Sequence, residues 1–397
     1  MGLFPFLYSL IFILFFLTSS SSSSSSSPLC HPHETSALLH FKNSFSNING
    51  TTYCYDYYDV EIVNPNTTIS WDIKSKDCCR WSGVTCDDVT GHVIHLDLKC
   101  SGLQGFLHSN NALFSLSHLQ SLILSYNNFS HSKISSEFGK FSNMVHLDLS
   151  FSNFSGKVPL QLSYLSNLLT LDLSSRQYSY EVLSLETNSW KRTVANLTNL
   201  RELFLSQVHM SSTSPDSFMN LSTSLTSLDL SYSDLQGKLP ENVLSLPNLQ
   251  QLDLTNNWNL TASFPQYNQS SPLKVLKLSK SGVMIDPYLC RKFKYLQVIS
   301  LSQSHFNSVQ LSPTFLDNCT QITSLDLSGN SLGGFFPCSS ILNQQQLTHL
   351  DLSWNNFIGE IPEICSKSTK NPFSCISSKH HLVGSPPLHL TSLSLFP

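Results

Sequence analysis

One four-residue phrase recurs through this chain and limits what it can fold into. Leu-Asp-Leu-Ser begins at Leu147, Leu171, Leu228, Leu325 and Leu350, and Leu-Asp-Leu-Thr begins at Leu252. Weaker copies begin at Leu96, Leu122, Leu203, Leu276 and Ile299. With the first residue of each copy as the phase mark, the intervals are 26, 25, 24, 32, 25, 24, 24, 23, 26 and 25 residues. Self-similarity at so steady a period marks a repeat architecture. Alternating Leu-x-Leu reads as a short strand with both leucines on one face. One such unit cannot bury that face alone, so neighbours must stack into a continuous core. With strands about 4.8 Å apart, ten steps give a parallel sheet roughly 50 Å long.

Two further columns share the phase. Asn127, Asn257, Asn330 and Asn355 stand five residues after the mark. A buried amide there can satisfy turn backbone groups of neighbouring coils. Ser101, Ser152, Ser233, Ser281 and Ser304 fill the same slot elsewhere, with fewer hydrogen-bonding atoms. Nine residues after the mark come Gly156-Lys-Val-Pro, Gly237-Lys-Leu-Pro, Gly334-Phe-Phe-Pro and Gly359-Glu-Ile-Pro. Gly permits an unusual backbone turn, and Pro ends hydrogen-bonded structure. Over residues 93–362 this pattern resembles the plant-specific class of leucine-rich repeat. That resemblance implies an α/β solenoid: a right-handed superhelix of about eleven repeats with a parallel sheet on its concave face.

The start of the chain speaks for export. Leu3 to Leu17 is almost wholly apolar and is followed by nine serines, Ser19 to Ser27. An apolar stretch of this length before small residues suits a secretory signal and is too short for a good membrane span, although it lacks an initial Lys or Arg. Eleven cysteines and nine Asn-x-Ser/Thr sequons agree with an oxidising, secretory route. The sequons fall at Asn49, Asn66, Asn128, Asn153, Asn196, Asn220, Asn259, Asn268 and Asn318. The expected layout is a signal and cleavage region at 1–27, a cysteine-rich cap at 28–92, repeats at 93–365 and a disordered non-repeat tail at 366–397. No later run has 18 consecutive apolar residues, so no membrane span is expected in this chain.

Solenoid ends need caps. Cys78-Cys-Arg-Trp-Ser-Gly-Val-Thr-Cys86 resembles the plant repeat cap, preceded by Cys30 and a short amphipathic helix at Glu34–Lys42. The resemblance implies the pairs Cys30–Cys78 and Cys79–Cys86. Cys54, in the insert Tyr53-Cys-Tyr-Asp-Tyr-Tyr58, is a candidate partner for Cys100, although spacing alone does not decide connectivity. This cap, followed by Leu96-Asp-Leu-Lys-Cys-Ser-Gly-Leu-Gln-Gly105, is similar to plant leucine-rich-repeat receptor-like proteins, and more narrowly to the tomato Cf-type resistance receptors. Members of that group are cell-surface immune receptors with a long repeat ectodomain, one membrane helix and a partner receptor-like kinase. Here the repeats stop at Cys365, before any membrane span or terminal cap, which reads as a truncated receptor or a short secreted form. The expected location is the apoplast, or the plasma membrane if a membrane-spanning part follows.

Ligand-facing strand positions in such a solenoid are two and one before the mark, and one, three and four after it. Asp97, Asp148, Asp172, Asp229, Asp253, Asp326 and Asp351 form an acidic column one residue after the mark. Adjacent members such as Asp229 and Asp253 mimic a glycoside-hydrolase carboxylate pair, but the column is the repeat consensus. Departures from it are the candidate ligand contacts. These are Lys274, Lys277 and Lys280 on one strand, and Arg201, Glu202, Phe204 and Gln207 on another. The aromatics Tyr126, Phe151, Tyr232 and Trp354 lie four residues after the mark. Aromatic and Arg side chains are favoured anchors, while drift on a solvated face explains any single one equally well. The long interval carries Tyr178, Tyr180 and Trp190, with Arg176 and Val208 in the turn slot. An irregular insert at about 176–196 is expected, either as a ligand-contacting loop or as a plain connector.

The small net charge of −4 gives no reason to expect nucleic acid. The histidines show no metal-ligand spacing, and there is no phosphate loop or nucleophile–base pair, so neither cofactor nor metal is expected. The leading reading is a non-enzymatic recognition ectodomain for a pathogen protein or peptide. The alternatives are a polygalacturonase-inhibitor type of secreted binder and, from another class, a cell-wall glycoside hydrolase.

Overall fold

The computed structural model describes residues 29–47, 52–55, 61–64, 67–72, 74, 77–175, 182–264, 271–283, 289–304, 319–335 and 338–358. Twelve strands form one sheet, in chain order from edge to edge. Strand β1 is Val84–Cys86, β2 Val93–Asp97, β3 Ser121–Ile123 and β4 His146–Asp148. Then come β5 Thr170–Asp172, β6 Glu202–Phe204, β7 Ser227–Asp229 and β8 Gln251–Asp253. The last four are β9 Val275–Lys277, β10 Val298–Ser300, β11 Ser324–Asp326 and β12 His349–Asp351.

Strands β2 to β12 run parallel, and their phase-mark residues pair directly, from Leu96 with Leu122 through to Leu325 with Leu350. The leucines at the mark and two residues beyond it are buried in every coil whose copy carries them, as Leu147, Leu149, Leu252 and Leu254 show. Register is pinned because a one-residue slip would turn these leucines into solvent and aspartates into the core.

The asparagine column is buried as its chemistry requires. Asn127 Nδ2 donates to Leu98 O and Leu124 O, both at 2.8 Å, and its Oδ1 accepts the N–H of Leu103 at 3.0 Å. Asn257 makes the same contacts with Leu230, Leu254 and Leu235. The serine variants do less: Ser233 Oγ donates to Leu205 O, and buried Ser101 Oγ has no hydrogen-bond partner.

The glycine signature builds a second, lateral ladder. Gln236–Leu239 pairs in parallel with Asn259–Ala262, and Gly333–Phe335 pairs with Asn356–Ile358. Gly237 and Gly334 both sit at φ 93°, a backbone region that a side chain would strain.

The 32-residue interval leaves the main sheet untouched, because Leu171 pairs with Leu203 directly. Its extra residues include the helix Thr187–Asn196. Trp190 is fully buried, packs 4.8 Å from Phe218 between ring centroids, and donates Nε1–H to Ser217 Oγ at 2.8 Å. Of the two roles open to Trp190, ligand contact is therefore overturned: an indole with its one donor satisfied in the core is a packing element. Val208 in the turn slot is buried as well. Arg176, Tyr178 and Tyr180 lie outside the described residues.

At the N-terminal end, the helix α1, Pro32–Asn43, buries Ala37, Leu38 and Phe41. Phe41, Phe45, Phe129 and Phe154 form a chain of ring contacts from cap to coils, with centroids 5.0, 5.5 and 4.9 Å apart. Strand β1 closes the sheet edge by antiparallel pairing of Val84 with Leu96. The disulfides Cys30–Cys78 and Cys79–Cys86 are formed, and Cys290–Cys319 adds a third that spacing left open. Cys100 is disulfide-bonded, while the Cys54 side chain lies outside the described residues.

Candidate ligand-binding surface

The exposed face of the main sheet is built by two backbone devices. The first is the acidic column. Asp148, Asp172, Asp229, Asp253, Asp326 and Asp351 each accept, through Oδ1, the N–H two residues downstream, at 2.8 to 3.0 Å. This is an Asx turn, which bends the chain out of the strand. These carboxylates are therefore engaged by their own backbone. Asp253 Oδ2 also lies 3.3 Å from Lys277 Nζ.

The second device lies four residues after the mark. Tyr126, Phe151, Gln207, Tyr232, Asn256, Lys280, Gln303 and Trp354 all have φ between 50° and 62°. A side chain in this left-handed region costs roughly 1–2 kcal/mol, which only Gly, and to a degree Asn, escapes. Six of the eleven candidate contacts occupy this position. The turn thus holds each in a fixed direction beside the sheet.

Burial and neighbour charge alter the column locally. Burial, reinforced by Asp148 one strand away, pushes the Asp172 carboxyl up to about 7. Asp229 rises to about 6 from burial and then from Asp253. Phe204 pairs with Asp172 on one side and Asp229 on the other, interrupting the column with an aromatic ring.

The candidates form separate groups along the face. Tyr126 and Phe151 touch, with centroids 5.1 Å apart, and Lys99 Nζ stands 5.3 Å over the Tyr126 ring. Lys99 was not anticipated from sequence, because nothing in one repeat marks its approach to the next. Arg201 is exposed just before β6, Glu202 and Phe204 are half-buried on it, and Gln207 is half-buried in the turn that follows. Glu202 accepts a hydrogen bond from Thr170 Oγ1 at 3.0 Å, and Gln207 Oε1 is buried with no partner. Tyr232 is half-buried one coil further on. Lys274 Nζ donates to Gln250 Oε1 at 2.9 Å and Lys277 pairs with Asp253, so the lysine strand is partly neutralised by its neighbour. Trp354 is 59% exposed and stands three coils beyond Lys280, about 14 Å away at the strand spacing.

The profile described as "Leucine rich repeat N-terminal domain" matches residues 31–53 and 61–87. The profile "Leucine Rich Repeat" matches 118–141, 224–246, 321–340 and 346–368. Among curated proteins, the chain is 42% identical to "Receptor-like protein Cf-9 homolog" of Solanum lycopersicum over 260 residues, 65% of this chain and 30% of that protein. It is 43% identical to "Receptor-like protein 6" of Arabidopsis thaliana over 257 residues, 63% of this chain and 25% of the relative. The chain thus spans under a third of the length of these relatives.

Among solved structures, the Arabidopsis receptor kinase HAESA, in complex with the peptide hormone IDA and the co-receptor SERK1, is 25% identical with a TM-score of 0.67. That match covers 86% of this chain and 53% of HAESA. A plant ice-binding protein shares the fold at 23% identity and a TM-score of 0.58, covering 89% of this chain and 98% of that one. No helix among the described residues is long and apolar enough to cross a membrane. The cap and the in-register coils are those of a leucine-rich-repeat protein, and over 65% of its length the chain is similar to a plant receptor-like protein of the Cf-9 type.

Proposed function

We propose that this chain is a non-enzymatic recognition ectodomain of a plant immune receptor-like protein, exported to the apoplast, which binds a pathogen-derived protein or peptide on its concave face. The observation that carries this reading is the break in the acidic column at Phe204. There an aromatic ring, Arg201 and Tyr232 lie within two adjacent coils. A patch of aromatic and Arg anchors suits a polypeptide, which offers both apolar side chains and carbonyl acceptors. The peptide complex of HAESA supports the same class of ligand. A receptor-like kinase would be the signalling partner, as the co-receptor SERK1 accompanies HAESA.

The test uses the secreted chain immobilised against fractionated apoplastic fluid from infected and healthy leaves. A saturable protease-sensitive ligand is expected from infected tissue only, with affinity at least tenfold lower for the Arg201→Ala/Phe204→Ala double variant. Equal binding by that variant, or equal signals from both tissues, would reject the reading.

A further inference from the structure

Glu34 is the only acidic or basic residue among the fully buried polar residues described, with a side chain at 0% exposure. A buried carboxylate needs a compensating partner. Its Oε2 accepts the N–H of Val93 at 3.0 Å, which fixes the carboxylate against the start of β2. Its Oε1 faces two imidazoles: His92 Nδ1 at 3.2 Å and His118 Nδ1 at 3.9 Å. All three atoms lie within 4.8 Å of one another. Tetrahedral bonds of about 2.1 Å to a zinc ion place ligand atoms about 3.4 Å apart, so the triangle is close to closed around such an ion.

The two histidines are a departure from the repeat. They occupy the position four residues before the phase mark, where later coils carry Asn143, Asn167, Asn199 and Asn248. Asn167, Asn199 and Asn248 each donate Nδ2–H to a carbonyl of the preceding coil, at 3.0, 3.1 and 2.9 Å. In the first two coils the amide is replaced by imidazole, a ligand suited to zinc, copper and nickel. It is at these two coils that the cap supplies its buried carboxylate.

We propose that Glu34, His92 and His118 form a divalent-cation site of the zinc class, which clamps the cap helix to the first two coils. Glu34 belongs to α1, His92 precedes β2, and His118 precedes β3, so one ion joins three elements far apart in sequence. Two histidines and a glutamate are a three-ligand donor set that leaves a fourth position for water. The rings of His92 and His118 are stacked, with centroids 3.6 Å apart and planes at 10°. Coordination therefore requires the His118 ring to swing out of the stack. It has room to do so, because its side chain is 44% exposed and its other polar contact is Ser117 Oγ at 3.3 Å. Ion binding requires both Nδ1 lone pairs, with the proton on Nε2.

The experiment titrates Zn²⁺ into the untagged, chelator-stripped full chain by calorimetry, with Co²⁺ absorption as a report on tetrahedral nitrogen and oxygen ligands. One ion per chain is expected, with a melting transition raised by Zn²⁺ and restored by chelator. His118→Ala should weaken binding by more than about 100-fold, beyond the effect of losing an outer-shell partner, while its melting in chelator stays that of the parent. His92→Gln should do the same, with circular dichroism as the check on folding. Absence of saturable Zn²⁺ binding in the parent, or unchanged affinity in His118→Ala, would overturn the proposal.

Discussion

Asn127 Oδ1 accepts the backbone N–H of Leu103, 24 residues earlier, at 3.0 Å, so this amide ties its coil to the coil before it. The same side chain satisfies Leu98 O and Leu124 O. Removing it strands the buried N–H of Leu103, while Leu98 O keeps the Ser101 N–H and Leu124 O keeps Ser152 Oγ. Asn127→Ala should therefore destabilise by roughly 1–3 kcal/mol, the cost of one unsatisfied buried group. Asn127→Ser should cost less, since Ser152 already fills this slot one coil on and bonds Leu124 O. Urea denaturation of both variants distinguishes them. Equal losses would show that the amide bridge carries no special weight.

Trp190 should behave as a core residue. Trp190→Ala opens a cavity and removes the hydrogen bond to Ser217 Oγ, and is expected to cost about 3–5 kcal/mol. The same substitution at exposed Trp354 should stay within about 0.5 kcal/mol. A Trp190 variant with unaltered melting but weakened ligand binding would contradict its place in the core.

The raised Asp172 carboxyl makes stability depend on pH in a defined direction. With a folded pKa of about 7 against about 3.9 unfolded, the folded chain binds the extra proton between these values. Stability from this group is therefore greatest at and below the unfolded value and is lost as pH rises to about 7, by up to about 1.4 kcal/mol per unit. Asp229 adds the same sign over a window closing near 6. Asp172→Asn should flatten the decline in melting temperature between pH 5 and 7.5. A variant profile parallel to that of the parent would show that burial does not penalise this carboxylate.

Two sequons compete. Asn128 is exposed, and Asn153 Nδ2 donates to Asn128 Oδ1 at 2.9 Å across adjacent coils. Two glycans cannot leave side chains so close without a clash. Glycopeptide mapping of the secreted chain should find Asn128 or Asn153 modified on any one molecule, with Asn196, Asn220 and Asn259 free to be modified together. A peptide spanning both sites with two glycans would disprove the exclusion.

Cys290–Cys319 encloses 29 residues of chain, and loop closure of that size restrains the unfolded state by about 3–4 kcal/mol. The Cys290→Ala/Cys319→Ala double variant should melt earlier in the C-terminal coils while the cap disulfides remain intact. Unchanged melting would mean that the repeats on either side already hold this coil in place.

The sequence by itself determined the period, the strand register and the roles of two columns. Leucine spacing permits only one face to be buried, and a short amide in the turn has only backbone to bond, so Asn127 and Leu147 were legible one residue at a time. Tertiary structure alone decided matters that depend on which atoms meet between distant coils. The insert carrying Trp190 read as either a ligand-contacting loop or a connector, yet its coil folds inward and buries the indole. The candidate aromatics read as anchors or drift alike, and the fold shows that Tyr126, Phe151, Tyr232 and Trp354 share one left-handed turn position. Glu34, His92 and His118 carry no spacing that announces a site, because 58 residues separate the first pair. They converge because the cap helix packs across the first two coils, and stacking turns a sequence period into a spatial neighbour.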